Sequence, residues 1–193
     1  MVNSQFEYNG GSGLGLFSDG EAGNAGNAPV NVTIQDNVLS NNGENGMDST
    51  ASSMNVTGNQ AHGNGWANHG PLTEGHGILL MAAGADVASV SIRGNSMGEN
   101  ARNGIFLDYR DPWTFDFIEI SDNYLQYNGT DEALGHQWGV RMDAPISNSS
   151  LDNNDAFDHV SGCYSVASTG VTVGDNCCDG AGGPGPDGLP CRQ

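Results

Sequence analysis

Asp108 and Asp143 each stand four residues after a glycine, in segments that read Gly104-Ile105-Phe106-Leu107-Asp108 and Gly139-Val140-Arg141-Met142-Asp143. If these segments lie side by side as neighbouring strands, the two carboxylates come within about 5 Å of each other. Arg141 would then stand one strand step from Asp143 on the same face, with Arg110 just past Asp108. Such a pair repels itself, so it must share a proton, a cation or a basic partner. Three chemistries are open. At about 5 Å one carboxylate can attack an anomeric carbon while the other donates a proton, as in retaining glycosidases. The pair can instead hold Ca2+ if Asp111 or Asp116 supplies further oxygens. It can also be a structural ion pair with Arg141 or Arg110.

The positioning elements are legible as a repeat. Six times an apolar residue stands three places before an asparagine: Ile34 and Asn37, Val56 and Asn59, Ile92 and Asn95, Ile120 and Asn123, Leu151 and Asn154, Val173 and Asn176. Periods of this length mark a solenoid, one repeat to a rung. A second series runs in phase, in which a glycine precedes alternating residues: Gly15-Leu16, Gly46-Met47, Gly77-Ile78, Gly104-Ile105, Gly139-Val140 and Gly162-Cys163. Apolar or small residues one and three places after the glycine, with Asp48 and Arg141 tolerated between, give the period of two of a half-buried strand. The inward stack is therefore Leu16, Met47, Ile78, Ile105, Val140 and Cys163. A third apolar column lies two residues past each asparagine: Leu39, Ala61, Met97, Leu125, Ala156 and Cys178. Three short inward-facing segments per repeat, separated by Gly and Asn turns, predict an all-β coil of about six rungs over residues 1–176. Helices have no place in it.

This pattern resembles the right-handed parallel β-helix of the pectate-lyase-like superfamily over Gly13 to Asn176. The resemblance implies that the Gly-Ile-x-Leu segments form the first sheet and the Val-x-Ile-x-x-Asn segments the second. The asparagines would stack as an amide ladder in the turn that follows, where Asn tolerates a left-handed backbone and can bond to the next rung. It further implies that chemistry sits on the outward face of the first sheet. There the candidates are Asp48, Phe106, Asp108, Arg141, Asp143 and Tyr164. The superfamily holds lyases, hydrolases, epimerases, tailspikes and adhesins, so the scaffold alone does not name a reaction.

The longest asparagine-to-glycine intervals follow Asn59 and Asn123, so residues 65–76 and 129–138 bulge beside the first sheet. They bring Trp66, His76, His136 and Trp138 to one wall, and Trp113 stands on the other. Aromatic rings beside carboxylates and an arginine suit sugar recognition, since a ring face stacks on a pyranose while charged groups bind its hydroxyls. The opposing reading folds Trp66 and Trp113 down as caps on their own loops. Gly75-His76-Gly77 is similar to the Gly-His-Gly of the polygalacturonase branch, but no Asp-Asp motif precedes it. Strand parity also turns His76 inward as a satisfied structural histidine. The run from Tyr109 to Trp113 is similar to a stretch of mannuronan epimerases whose catalytic histidine position is here Trp113. With lysine absent, a lyase would have to use Arg110 or Arg141 as base.

The chain has 193 residues, five arginines among Lys plus Arg, 23 acidic residues and a net charge of -18. So acidic a surface argues against nucleic acid and anionic membranes, and suits neutral glycans, divalent cations or simple solubility. No apolar stretch approaches a membrane span, and residues 1–12 are polar, with no signal peptide visible. Four cysteines crowd the C-terminal end. They read as structural disulfides, with Cys191 tied back to Cys177 or Cys178 in a capping tail over 177–193, and so as a secreted or cell-surface setting. Four Asn-x-Ser/Thr sequons begin at Asn31, Asn55, Asn128 and Asn148. Phe6 and Tyr8 near an open N-terminal edge predict self-association or continuation in a longer parent chain. Two functions stay open: a polysaccharide-binding or polysaccharide-processing β-helix with Ca2+ as cofactor, and a non-catalytic structural or adhesive solenoid segment.

Overall fold

The structure, a computed structural model, describes residues 1–17, 29–66, 74–130, 137–143 and 145–179. Among these there is no helix; every named element is a strand, and every strand pair is parallel. The first sheet stacks β1 (Leu14–Leu16), β3 (Met47–Ser49), β6 (Ile78–Ala82), β9 (Ile105–Tyr109), β12 (Trp138–Met142) and β16 (Gly162–Val166) in that order. The second stacks β2 (Val30–Gln35), β4 (Ser52–Thr57), β7 (Val87–Arg93), β10 (Phe115–Ser121), β14 (Ser149–Asp152) and β17 (Val171–Val173), with the short β13 (Ile146–Ser147) also on β10. The third stacks β5 (Gln60–His62), β8 (Ser96–Gly98), β11 (Tyr124–Gln126), β15 (Asp155–Phe157) and β18 (Cys177–Asp179). The chain winds from first to second to third sheet once per repeat, a parallel β-helix. Its third sheet reaches Asp179, beyond the boundary expected at residue 176.

The predicted columns are the core. Met47, Ile78, Ile105 and Val140 are in register and fully buried, as are Leu39, Met97, Leu125 and Ala156 of the third column. Two ends of the first column depart from expectation. Leu14, not Leu16, pairs with Met47, so Gly13 rather than Gly15 begins the first repeat. A Cβ at Gly13, Gly46, Gly77, Gly104 or Gly139 would stand 2.6–2.8 Å from a carbonyl oxygen of the next rung, so backbones approach here too closely for any side chain. At the other end, Trp138 pairs with Gly162 and Val140 with Tyr164. Cys163 therefore takes the glycine place, and Tyr164, expected on the outward face, turns inward. Its hydroxyl lies 2.7 Å from the carbonyl oxygens of both Asn154 and Cys177. Cys163 forms a disulfide with Cys178, joining first and third sheets through the core, and Cys177 is disulfide-bonded as well. Cys191, like His136, lies outside the described residues.

Each of Asn59, Asn95, Asn123, Asn154 and Asn176 accepts at Oδ1 both the N–H and the side-chain amide of the asparagine one rung before, at 2.8–3.0 Å. The side-chain amides of these five asparagines donate in turn to carbonyls of the preceding rung, those of Ile34, Val56, Ile92, Ile120 and Leu151. These acceptors are the residues three places before an asparagine in each rung, and they are apolar because their side chains fill the core. All six ladder asparagines are buried, and a rung deprived of its acceptor would leave a dry N–H exposed to no water.

A second ladder, five residues on, escaped the sequence reading: Asn42 donates to Asn64, Asn64 to Asn100, Asn100 to Asn128, and the Asn128 N–H to Nδ1 of His159. The recurrence of Asn at a fixed offset was its signal. A third guards the entry to the first sheet, where the N–H groups of His76, Asn103 and Trp138 donate to Asn45 Oδ1, His76 Nδ1 and Asn103 Oδ1. At the N-terminus, Val2 bridges Gln35 and Gln5 bridges Val38, and Phe6 packs on the core while Tyr8 stays exposed.

Candidate functional site

The registers Arg141 to Phe106 and Met142 to Leu107 put Asp143 next to Asp108 at the C-terminal end of β12 and β9. The pairing expected from spacing is thus brought together by one rung step. Arg141 forms an ion pair with Asp143 and lays its guanidinium 5.1 Å from the centre of the Phe106 ring. Both partners keep some exposure, 19% and 31% of their side chains. Arg141 is therefore held from two sides, by charge and by an aromatic face.

Asp108 is in a different state from its neighbour. Partial burial raises its carboxyl above the usual range, Asp143 pushes the same way, and Arg110 and Arg141 oppose them. An acid of raised affinity for its proton beside a carboxylate already paired with arginine is an asymmetric pair. Asp111 stands exposed in the turn that follows β9, as does Arg110, and Trp113 is half-buried against the core. Among the described residues no three His, Cys, Asp or Glu side chains come together as a metal set.

The remaining expected contacts fall elsewhere. His76 is fully buried, its ring 5.0 Å from that of Phe106, so it serves the entry ladder and cannot touch a ligand. Phe106 itself is only 6% exposed and acts as the shelf under Arg141. Asp48, expected to meet substrate, is 8% exposed. Burial pushes its carboxyl up to about 6, against the hydrogen bonds of Ser12 and Asn45, both 2.6 Å, that favour the charged form. Trp138 is half-buried and lies over Gly162, where a Cβ would meet its ring at 2.5 Å. Tyr164 is partly buried, with its hydroxyl turned inward as described above. Trp66 does not fold down: it is 59% exposed, and its indole N–H donates to the Asn41 carbonyl at 2.8 Å.

The chain belongs to the right-handed beta helix family, whose description matches residues 1–186. No curated protein and no solved structure matches it. No helix among the described residues is long and apolar enough to cross a membrane.

Proposed function

We propose that this β-helix is a secreted or surface-displayed polysaccharide-binding protein that takes its glycan on the outward face of the first sheet, around Asp108, Arg141 and Asp143. The observation that carries the reading is the asymmetry of the carboxylate pair. Asp143 and Arg141 present a fixed dipole to sugar hydroxyls, while Asp108 keeps a proton to higher pH than a solvated aspartate. On a suitable glycosidic bond the same pair supplies the acid and the charged partner of a retaining hydrolysis. With an anionic glycan, Ca2+ would bridge the sugar carboxylates to Asp108 and Asp143, the glycan completing the oxygen set. The Cys163–Cys178 disulfide supports an oxidising compartment.

The test is a screen of uronate and neutral polysaccharides, with and without Ca2+, that reads both products and binding in the parent chain, Asp108→Asn and Asp143→Asn. Binding that both variants weaken supports the reading, and product formation that they abolish adds catalysis to it. Equal binding by parent and variants would sink the assignment to this face.

A second reading is architectural, an adhesive or structural solenoid segment. It is favoured by Arg141, whose charge and ring contacts are both met within the chain, and by the near-complete burial of Leu79 and Phe106 on the same face. Absence of binding to every glycan in the screen is its expected outcome.

A further inference from the structure

We propose that the corner between the third and first sheets, together with the adjoining strip of the third sheet, is a separate binding site for a neutral polysaccharide. The proposal shares with the reading above a polysaccharide partner, but places it on a different face and restricts its charge.

A groove of about 240 Å³ opens at this corner, lined by Trp66, Glu99, Thr130 and small residues. Its floor is kept low by necessity: a Cβ at Gly65 would meet the Gly75 Cα at 2.5 Å and the Ala101 Cβ at 2.7 Å. Trp66 forms a wall. Its polar edge is consumed by the Asn41 carbonyl, which fixes the ring, while more than half of the residue stays in solvent. A large apolar ring held exposed is costly to hydration and cheap to stack upon, because little side-chain freedom is left to lose.

The same chemistry continues along the third sheet. Glu99 and Tyr127 occupy equivalent places on adjacent rungs, for their N–H groups donate to Gln126 and Phe157 carbonyls, each at 3.1 Å. Tyr127 is 48% exposed and Tyr124 44%. Tyr124 is braced by the Phe157 ring at 5.4 Å and by its hydroxyl, which donates to Gln126 Oε1 at 3.1 Å. Rungs repeat at about 4.8 Å, close to the length of one pyranose ring, so a glycan lying along the solenoid axis meets one rung per sugar. Ring faces then stack while Gln126, Glu99 and Thr130 bond hydroxyls.

Charge selects the ligand. Among the described residues the groove lining contains no Lys or Arg, and neither do the strands β8, β11 and β15 of the strip, whereas Glu99 and Asp155 are acidic. A uronate or sulfated chain would be repelled here, with a net charge of -18 behind it. A neutral hexose or pentose polymer meets no such barrier.

The experiment is calorimetric titration of the full chain with cello-, manno- and xylo-oligosaccharides, and with oligogalacturonate as the anionic probe. Saturable binding of a neutral probe, weakened roughly tenfold or more in both Trp66→Ala and Tyr127→Ala, is the expected result. Phe117→Ala, which removes an exposed ring from the second sheet, keeps full affinity. Thermal melting of each variant separates lost contact from lost fold, and Tyr127→Ala breaks no hydrogen bond made by the Trp66 side chain. Neutral-probe binding unchanged in Trp66→Ala and Tyr127→Ala overturns the inference. Binding of oligogalacturonate alone, lost in Asp108→Asn, overturns it and leaves the first-sheet reading standing. No binding of any probe overturns the inference and leaves the first-sheet reading to its own screen with Ca2+.

Discussion

The two ends of one sheet face carry aspartates in opposite circumstances. At the N-terminal end Asp48 is sealed in, capped by Ser12 and Asn45 and neighboured by Leu79, which is 1% exposed. At the C-terminal end Asp108 and Asp143 lie on adjacent rungs, half open to solvent and served by Arg141 and Arg110. Two neighbouring columns of one face, Asp48 with Leu79, Phe106 and Arg141 and Met81 with Asp108 and Asp143, thus became core-like at one end and site-like at the other. The scaffold is the same; what differs is whether a cationic side chain or only neutral donors answer the carboxylate. A parallel β-helix repeats its backbone, and it leaves each rung free to hide or expose the residue it carries.

The sharpest way to break this contrast is to truncate the sealed end. Leu79→Ala should cost about 3 kcal/mol by opening a cavity, while Met81→Ala, at a half-exposed place one step along the same strand, should cost less than about 1 kcal/mol. Denaturant midpoints measure both, and equal losses would mean the face is not sealed.

Asp48→Asn comes next and should stabilise at neutral pH. The folded-state pKa of Asp48 lies above its unfolded value of 3.8, so its favourable contribution is complete below that value and is lost as pH rises through about 6. The amide variant escapes this loss, and should gain up to about 3 kcal/mol relative to the parent between pH 4 and pH 7. A constant difference across that range would contradict burial as the cause.

Arg141→Met, which keeps an apolar stem over Phe106 but leaves Asp143 without its partner, should cost about 1–2 kcal/mol, less than a fully buried pair because both ends are partly solvated. High salt should narrow the gap between variant and parent. Smallest of all is Asp108→Asn, which should gain less than about 1 kcal/mol at neutral pH, since the amide avoids the partial burial of a charge and relieves a repulsion with Asp143. Nuclear magnetic resonance titration of the Asp108 carboxyl should show a midpoint above that of solvated aspartates, and Asp143→Asn should lower it.

Much of this was legible beforehand. Ile-x-x-Asn at rung period identified the ladder, because every rung returns a buried apolar side chain and a turn asparagine to the same two places, and the Gly-x-x-x-Asp segments set Asp108 against Asp143. His159 was not legible: an imidazole closes the asparagine series only because its Nδ1 meets the Asn128 N–H at 3.2 Å. Burial holds that ring neutral, lowering its pKa to about 4, which suits an acceptor nitrogen. Nor could spacing foresee that Tyr164 would turn inward, since the shift of one residue at Gly162 arises where the Trp138 ring lies over it. Trp66 and Trp113 read alike in sequence, yet one is pinned with its face in solvent and the other packs on the core.

The sequence by itself determined the coil, its apolar columns and its principal amide ladder, because those features repeat and a repeated local rule needs no distant information. Only the tertiary structure decided which outward side chains are covered, which carboxylates find an arginine, and that Cys163 meets Cys178. Those outcomes depend on how single residues of neighbouring rungs and loops fill particular spaces, and such filling has no period to be read.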